Sequence, residues 1–178
     1  VDAQTTTMIE NISSLEKSRQ EIKVKLVAVK SGIETYNESL DKIRPGLAEQ
    51  FSDAIGPKLQ RFQFQLAELE TEKLLLITEN PDIENKTPVN PELEQLNRKI
   101  DYVRGQINKL TNEVLSKGEM YASFLTGNEG SSIATQITEL NQKLLELQIQ
   151  KEQFEAQFEV ITSRLETLNQ YFEDLPDK

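Results

Sequence analysis

Apolar residues recur at alternating spacings of four and three along most of the chain. Such a heptad pattern predicts helices that keep one seam against a partner by supercoiling left-handedly, whereas a strand requires alternation with a period of two. Four series cover the chain, and their members, including three charged exceptions, are Met8, Ile12, Leu15, Arg19, Ile22, Leu26, Val29, Ile33, Tyr36, Leu40 and Ile43; Ile55, Leu59, Phe62, Leu66, Leu69, Lys73 and Leu76; Leu93, Leu96, Ile100, Val103, Ile107, Leu110 and Val114; and Ile133, Ile137, Leu140, Leu144, Leu147, Lys151, Phe154, Phe158, Ile161, Leu165, Leu168, Phe172 and Leu175.

The charged exceptions are Arg19, Lys73 and Lys151. A lysine can lay its aliphatic stem along the seam while its ammonium group reaches water, and a polar seam residue can also fix register at a cost in stability. We therefore predict a structural role for the two lysines rather than a functional one.

Proline and glycine mark the first break between helices. The sequences "IRPGL" at 43–47 and "AIGPKL" at 54–59 place both residue types together. Proline cannot continue a helix but suits its first turn, so Pro57 is expected to begin the next helix. The residues between the two signals, "AEQFSDA", can form a short helical piece.

Two further breaks follow. Residues 80–91 contain three prolines, of which Pro91 suits a first helical position behind Asn90 as the N-cap. Residues 125–134 read "LTGNEGSSIA", where the two glycines can end a helix and Ser131 or Ser132 can cap the following one.

Together the series and breaks predict an all-α fold, one helical rod over 1–178 made of four long helices. Each helix would be about 40–60 Å long at 1.5 Å per residue, and short connections make successive helices antiparallel. Both chain ends would then lie at one end of the rod, a geometry that suits insertion into another domain. The predicted helices are 4–44, 57–80, 91–124 and 132–173, and the predicted turns are 44–57, 80–91 and 117–132.

The pattern does not decide between one left-handed coiled-coil bundle and two helical hairpins. A strict stripe suits a two-helix seam, but further apolar positions widen the stripe, which suits a bundle or a partner surface. They can equally be ordinary coiled-coil flanks. These positions are Val24, Val27, Phe64, Leu74, Leu75, Ile77, Leu145, Ile149 and Val160.

Composition removes several kinds of chemistry. The chain has no Cys and no His, so thiolate nucleophiles, Ser-His pairs and histidine metal ligands are excluded. Its acidic residues, such as Glu68, Glu70 and Glu72, are expected on outer helix faces. We expect no catalytic, cofactor-binding or metal-binding residues and no enzymatic activity. A net charge of −10 also argues against nucleic acid as a partner.

No run of apolar residues is long enough to span a bilayer, and no signal peptide is recognisable. The abrupt start and end of the sequence suggest an excised segment of a longer protein.

Residues 65–110 resemble the periplasmic helical region of the Wzz/GumC/Wzc-type polysaccharide co-polymerases. In that family a helix of the "QLAELE" type leads through a proline-containing turn to a helix opening P-x-x-x-x-L-x-x-x-I, here Pro91, Leu96 and Ile100. The end of the chain, "LETLNQYFEDLPDK", resembles the end of the family's last coiled-coil helix, and "ASFLTGNEGSSIATQITELNQKLLELQ" resembles the loop leading into it. The turn is longer here than the family's P-x-H-P version and has no His.

This resemblance implies a function in export or chain-length control of a surface polysaccharide. The parent would be an inner-membrane protein of a diderm bacterium that projects this segment into the periplasm and self-associates as a ring-like homo-oligomer. Its partners would be a polysaccharide polymerase and, in the GumC/Wzc branch of the family, an outer-membrane export channel. The segment itself would be a spacer and an interaction surface.

Geometry suggests which residues would touch a partner at the tip of the rod. Apolar side chains follow both predicted tip turns, although the same residues can simply cap the core. A partner site would require a contiguous exposed patch. The candidates are Leu47, Phe51, Ile55, Met120, Tyr121, Phe124 and Leu125.

Two other functions fit a chain of this kind. One is the hairpin of a periplasmic membrane-fusion adaptor, although such hairpins favour two long helices and one tip. The other is a cytoplasmic coiled-coil scaffold, which the short connections and matched helix lengths disfavour.

Overall fold

The fold is all-α, as predicted. The computed structural model describes residues 2–51, 55–126 and 131–176, without the side chains of Leu125, Thr126 and Ser131. Within these ranges there are five α-helices and no strand. The helices are α1 (Ala3–Ile43), α2 (Leu47–Gln50), α3 (Pro57–Glu79), α4 (Pro91–Thr126) and α5 (Ser131–Glu173).

The helices that begin at Pro57 and Pro91 start as predicted, and α1 begins with a cap that was not predicted. The Asp2 carboxylate accepts a 2.7 Å hydrogen bond from the Thr5 backbone N–H at the start of α1. Pro57 is the first residue of α3. Asn90 caps α4, because its side-chain oxygen accepts hydrogen bonds from the backbone N–H groups of Glu92 and Leu93. A cap of this kind contributes about 1 kcal/mol.

The connection after α1 contains the short helix α2. Gly46 enters this helix with a φ of 81°, a left-handed conformation that suits glycine. The Asp41 carboxylate accepts a hydrogen bond from the Ala48 backbone N–H, which holds α2 against the end of α1. The predicted helical piece is therefore present from Leu47, while residues 52–54 lie outside the described ranges.

The proline-rich connection between α3 and α4 is more ordered than its sequence suggests. A single turn of 3₁₀-helix spans Ile83–Asn85. Its first side chain, Ile83, is 2% exposed. The heptad pattern does not predict this buried residue, because one apolar residue among prolines and asparagines carries no periodic signal.

Helix α4 extends further than the predicted turn at 117–132 allows. Residues 117–126 are helical, since the chain contains no proline here and Gly118 is accommodated inside the helix. Residues 127–130, including both predicted helix-ending glycines, lie outside the described ranges.

The most extensive helix pair is α1 with α5, and its contacts run in opposite order along the two helices. Leu15, Ile22 and Leu26 form a core cluster with Ile161 and Leu165. Further along, the end of α1 packs with the beginning of α5 in a second cluster, formed by Leu40, Leu47, Ala48, Phe51, Ala122, Ile137 and Leu144. Seam positions predicted from the heptads therefore meet each other.

Helices α3 and α4 form the other half of the structure and share a core cluster with α5. Leu59 and Leu66 of α3 pack with residues of α4 and with Ile149 of α5. Further along α5, Ala156 and Val160 pack with Ala67 of α3. Helix α5 thus contacts α1, α3 and α4. Its buried apolar residues accordingly lie on more than one face of the helix.

The positions that widen the heptad stripe divide accordingly. Leu145, Ile149 and Val160 of α5 are buried, as expected of a helix with several neighbours. In contrast, Val24 and Val27 of α1 are 62% and 68% exposed. The same sequence signal therefore marks core on one helix and surface on another.

Polar side chains form hydrogen bonds between the beginning of α1 and the end of α3. Asn11 donates a 3.0 Å hydrogen bond to the Glu79 carboxylate. Thr78 donates a 3.1 Å hydrogen bond to the Ser14 hydroxyl. These pairs connect the beginning of α1 to the end of α3, so contacts between these helices also run in opposite order.

Both seam lysines, Lys73 and Lys151, are half-buried. The Nζ of Lys151 lies 3.7 Å from a carboxylate oxygen of Glu155 one turn later. Both positions accordingly fit the predicted structural role.

Candidate interaction surfaces

The structure separates the predicted tip contacts into core and surface residues. Leu47 and Phe51 are 0% and 4% exposed, because α2 folds back onto α1 and α5. Ile55 is half-buried against a different cluster, the one that contains Leu59. These three residues cap the core instead of forming one exposed patch.

The exposed tip candidates lie on α4. Met120 and Phe124 are 72% and 81% exposed, one helical turn apart. Tyr121 lies beside them and packs edge-on against Phe51, with ring centroids 5.3 Å apart. The last candidate, Leu125, has its side chain outside the described part of the structure.

A second surface was not found from the sequence. An open groove of about 530 Å3 runs between the outer faces of α3 and α4. Leu69 and Val103 supply apolar lining, and Tyr102, which also lines it, is 67% exposed. The heptad pattern identifies Leu69 and Val103 as seam residues, but gives no sign that an aromatic ring stands open beside them.

The two walls of this groove carry opposite charge. Glu68 and Glu72 line it from α3, and Arg98 and Lys99 line it from α4. Arg98 pairs with Glu94 one turn earlier on its own helix. Among the residues that the structure describes, Glu68, Glu72 and Lys99 form no ion pair.

One carboxyl group outside the groove has a shifted proton affinity. Burial between α5 and α3 raises the pKa of Glu152 above its ordinary value of 4.5, and the negative charge of Glu155 acts in the same direction. Lys151 and a side-chain hydrogen bond with Gln60 oppose the shift. A pKa that differs between the folded and unfolded states makes the free energy of unfolding depend on pH.

We expect Glu152→Gln to stabilise the protein at pH 7 by a few tenths of a kcal/mol, about the scale of partly exposed charges. A raised folded-state pKa favours the native state fully below the unfolded value of 4.5, and this contribution is lost as pH rises through the folded-state pKa. The advantage of glutamine should therefore disappear below that value. Urea titrations at several pH values measure it.

Glu159→Gln controls for the lost charge, since it removes one carboxylate from an exposed position on the same helix. An advantage of Glu152→Gln that persisted at low pH would contradict the electrostatic cause.

The described residues contain no group of three or more Asp, Glu, His or Cys side chains able to hold a metal ion. No helix among them is long and apolar enough to cross a membrane.

Comparison with known proteins found no matching family model, no matching curated protein and no matching solved structure.

Proposed function

We propose that this chain is a non-catalytic spacer and interaction segment, and that its parent is a periplasmic polysaccharide co-polymerase of the inner membrane. The proposal rests on one structural observation joined to the sequence resemblance. The two longest helices, α1 and α5, have 41 and 43 residues and pack along each other with reversed contact order, which favours a rod over a compact domain.

The geometry of the rod supports the finer part of the proposal. We call the end of the rod near the beginning of α1 and the end of α5 its base. In the proposed arrangement α1 and α4 run away from the base and α3 and α5 run back to it, so the four long helices form one antiparallel bundle. The hydrogen bond from Asn11 to Glu79 brings the beginning of α1 to the end of α3. The cluster of Leu15 with Leu165 brings the end of α5 to the same level. Both chain ends then lie together, as insertion in a membrane-proximal domain requires.

A spacer needs stiffness along its axis more than a shaped cavity. Helices of 41 and 43 residues, α1 and α5, are about 60 Å long at 1.5 Å per residue. They are held together by apolar contacts near both ends. The carboxylates line surfaces and open grooves, where an acid–base pair lacks the enclosure that shifts and orients catalytic groups. We therefore propose no enzymatic activity.

The first test is the topology of the full-length parent in intact cells. The sequence contains no native cysteine, so single cysteines at Asn85 and Ser132 report without background, and both positions are exposed. We expect a membrane-impermeant maleimide to label both from the periplasm, with both termini of the parent cytoplasmic.

Other outcomes favour the other functions. Labelling of both cysteines with a periplasmic C-terminus would indicate a membrane-fusion adaptor. Protection of both until the cells are lysed would indicate a cytoplasmic scaffold and contradict the proposal. Addition of a thiol reagent after detergent lysis controls for accessibility in the folded protein.

A further inference from the structure

The groove between α3 and α4 has features that its position on the surface does not explain. Its Tyr102 ring is 67% exposed and lies beside Leu69, which is half-buried, and Val103, which is 7% exposed. Exposed tyrosine beside apolar lining is characteristic of the central residues of protein interfaces. The charges on its walls are segregated, with acid on α3 and base on α4.

We propose that this groove is the contact surface between two copies of the chain arranged side by side and pointing in the same direction. The inference rests on the proposed function as an interaction segment and names its partner, a second copy. A two-fold contact closes at two copies, so a ring of the parent would join such dimers through other surfaces. The charges on the groove walls identify the partner as a second copy, because the acidic α3 wall of one groove can face the basic α4 wall of another.

The complementarity follows from symmetry. A two-fold axis parallel to the groove, placed between two copies, sets α3 of each copy against α4 of the other at the same level. Glu68 and Glu72 of one copy then face Arg98 and Lys99 of the other, and the same contacts form twice. A two-fold axis across the groove would set acid against acid, so the charges select the parallel arrangement.

The parallel arrangement also places the aromatic rings. Each Tyr102 lies on the α4 wall and therefore meets the α3 wall of the facing groove. There it covers apolar surface next to Leu69, while the charged walls form the rim. This division into an apolar centre and a polar rim is the usual anatomy of a specific protein interface.

Charge reversal of one wall at a time tests the proposal. Glu68→Lys with Glu72→Lys makes both walls basic, and Arg98→Glu with Lys99→Glu makes both walls acidic. Each variant sets like charges against each other in a homodimer. Sedimentation equilibrium of the chain, up to about 1 mM, measures association even when it is weak.

We expect the unaltered chain to dimerise and each groove variant alone to raise the Kd at least about tenfold. An equimolar mixture of the two variants should associate again, because a basic groove then faces an acidic one. This rescue also shows that both variants are folded. The control is Glu34→Lys with Glu38→Lys, the same charge change at exposed positions four residues apart on α1, and it should leave the Kd unchanged.

Three results would overturn the inference: an unaltered chain that remains monomeric at 1 mM, groove variants that dimerise as well as the unaltered chain, or a mixture that does not associate. None of them affects the labelling pattern in cells. Failure of the groove and failure of the proposed function are therefore distinguishable.

Discussion

Replacement of Leu144 by Ala should lower the free energy of unfolding by about 3–4 kcal/mol, within the usual range for a fully buried leucine. Leu144 is 0% exposed and belongs to the cluster in which α5 contacts α1, α2 and α4 at once. Loss of its side chain therefore leaves a cavity bordered by several helices, and no single helix can move to fill it.

Urea denaturation monitored by circular dichroism measures this effect, and calorimetry should show a melting temperature lower by roughly 10 °C for a chain of this size. Val24→Ala is the control. It removes apolar atoms from a side chain that is 62% exposed on α1, and surface changes of this kind remain within about 0.5 kcal/mol. Equal effects of the two substitutions would contradict the packing of α5 at the centre.

The all-α fold follows from the heptads because burial of one seam requires apolar residues at fixed spacing. Leu15, Ile22 and Leu26 were predicted to lie on a seam, and all three are buried. Helix starts were also predictable at Pro57 and Asn90, since capping depends on a few neighbouring residues. Seam positions and helix caps depend on residues that lie close together in the chain, so a single sequence is enough to predict them.

The choice of neighbours is not local. Val24 on α1 and Leu145 on α5 both widen a stripe, yet the first is exposed and the second is 1% exposed. The difference arises because α5 packs against three long helices, which bury residues on several of its faces. Val24 instead lies on a face of α1 that is exposed to solvent. Nothing in the spacing of either residue records how many helices surround it.

The candidate surfaces show the same division. Apolar residues near the predicted turns were expected to contact a partner at the tip, but α2 folds inward and buries Leu47 and Phe51. Among the candidates that the structure describes, Met120, Tyr121 and Phe124 of α4 are exposed. The α3–α4 groove depends on which faces of two separate helices become adjacent. Glu68 and Lys99 look like ordinary surface charges until α3 and α4 are packed together.

Gly118→Leu is the second substitution with a large expected effect, a loss of about 2–3 kcal/mol in the free energy of unfolding. A Cβ at this position would lie 2.6 Å from Cδ1 of Leu145 and 2.7 Å from Nδ2 of Asn141. Both neighbours are 1% exposed, so neither side chain can move aside into solvent. The glycine lets α4 approach α5 closely, which outweighs its poor helix propensity.

Gly105→Leu is the matched comparison, since the same change is made inside the same helix. A Cβ there would meet no atom within 4 Å. Leucine should therefore stabilise the protein by about 0.5–1 kcal/mol through helix propensity alone. Opposite signs at the two positions, measured by urea denaturation, are expected from the contact of α4 with α5. If both substitutions stabilised the chain, the close contact of Gly118 with Leu145 and Asn141 would be contradicted. Helix propensity favours leucine equally at both glycines, so only this contact can make the two effects differ in sign.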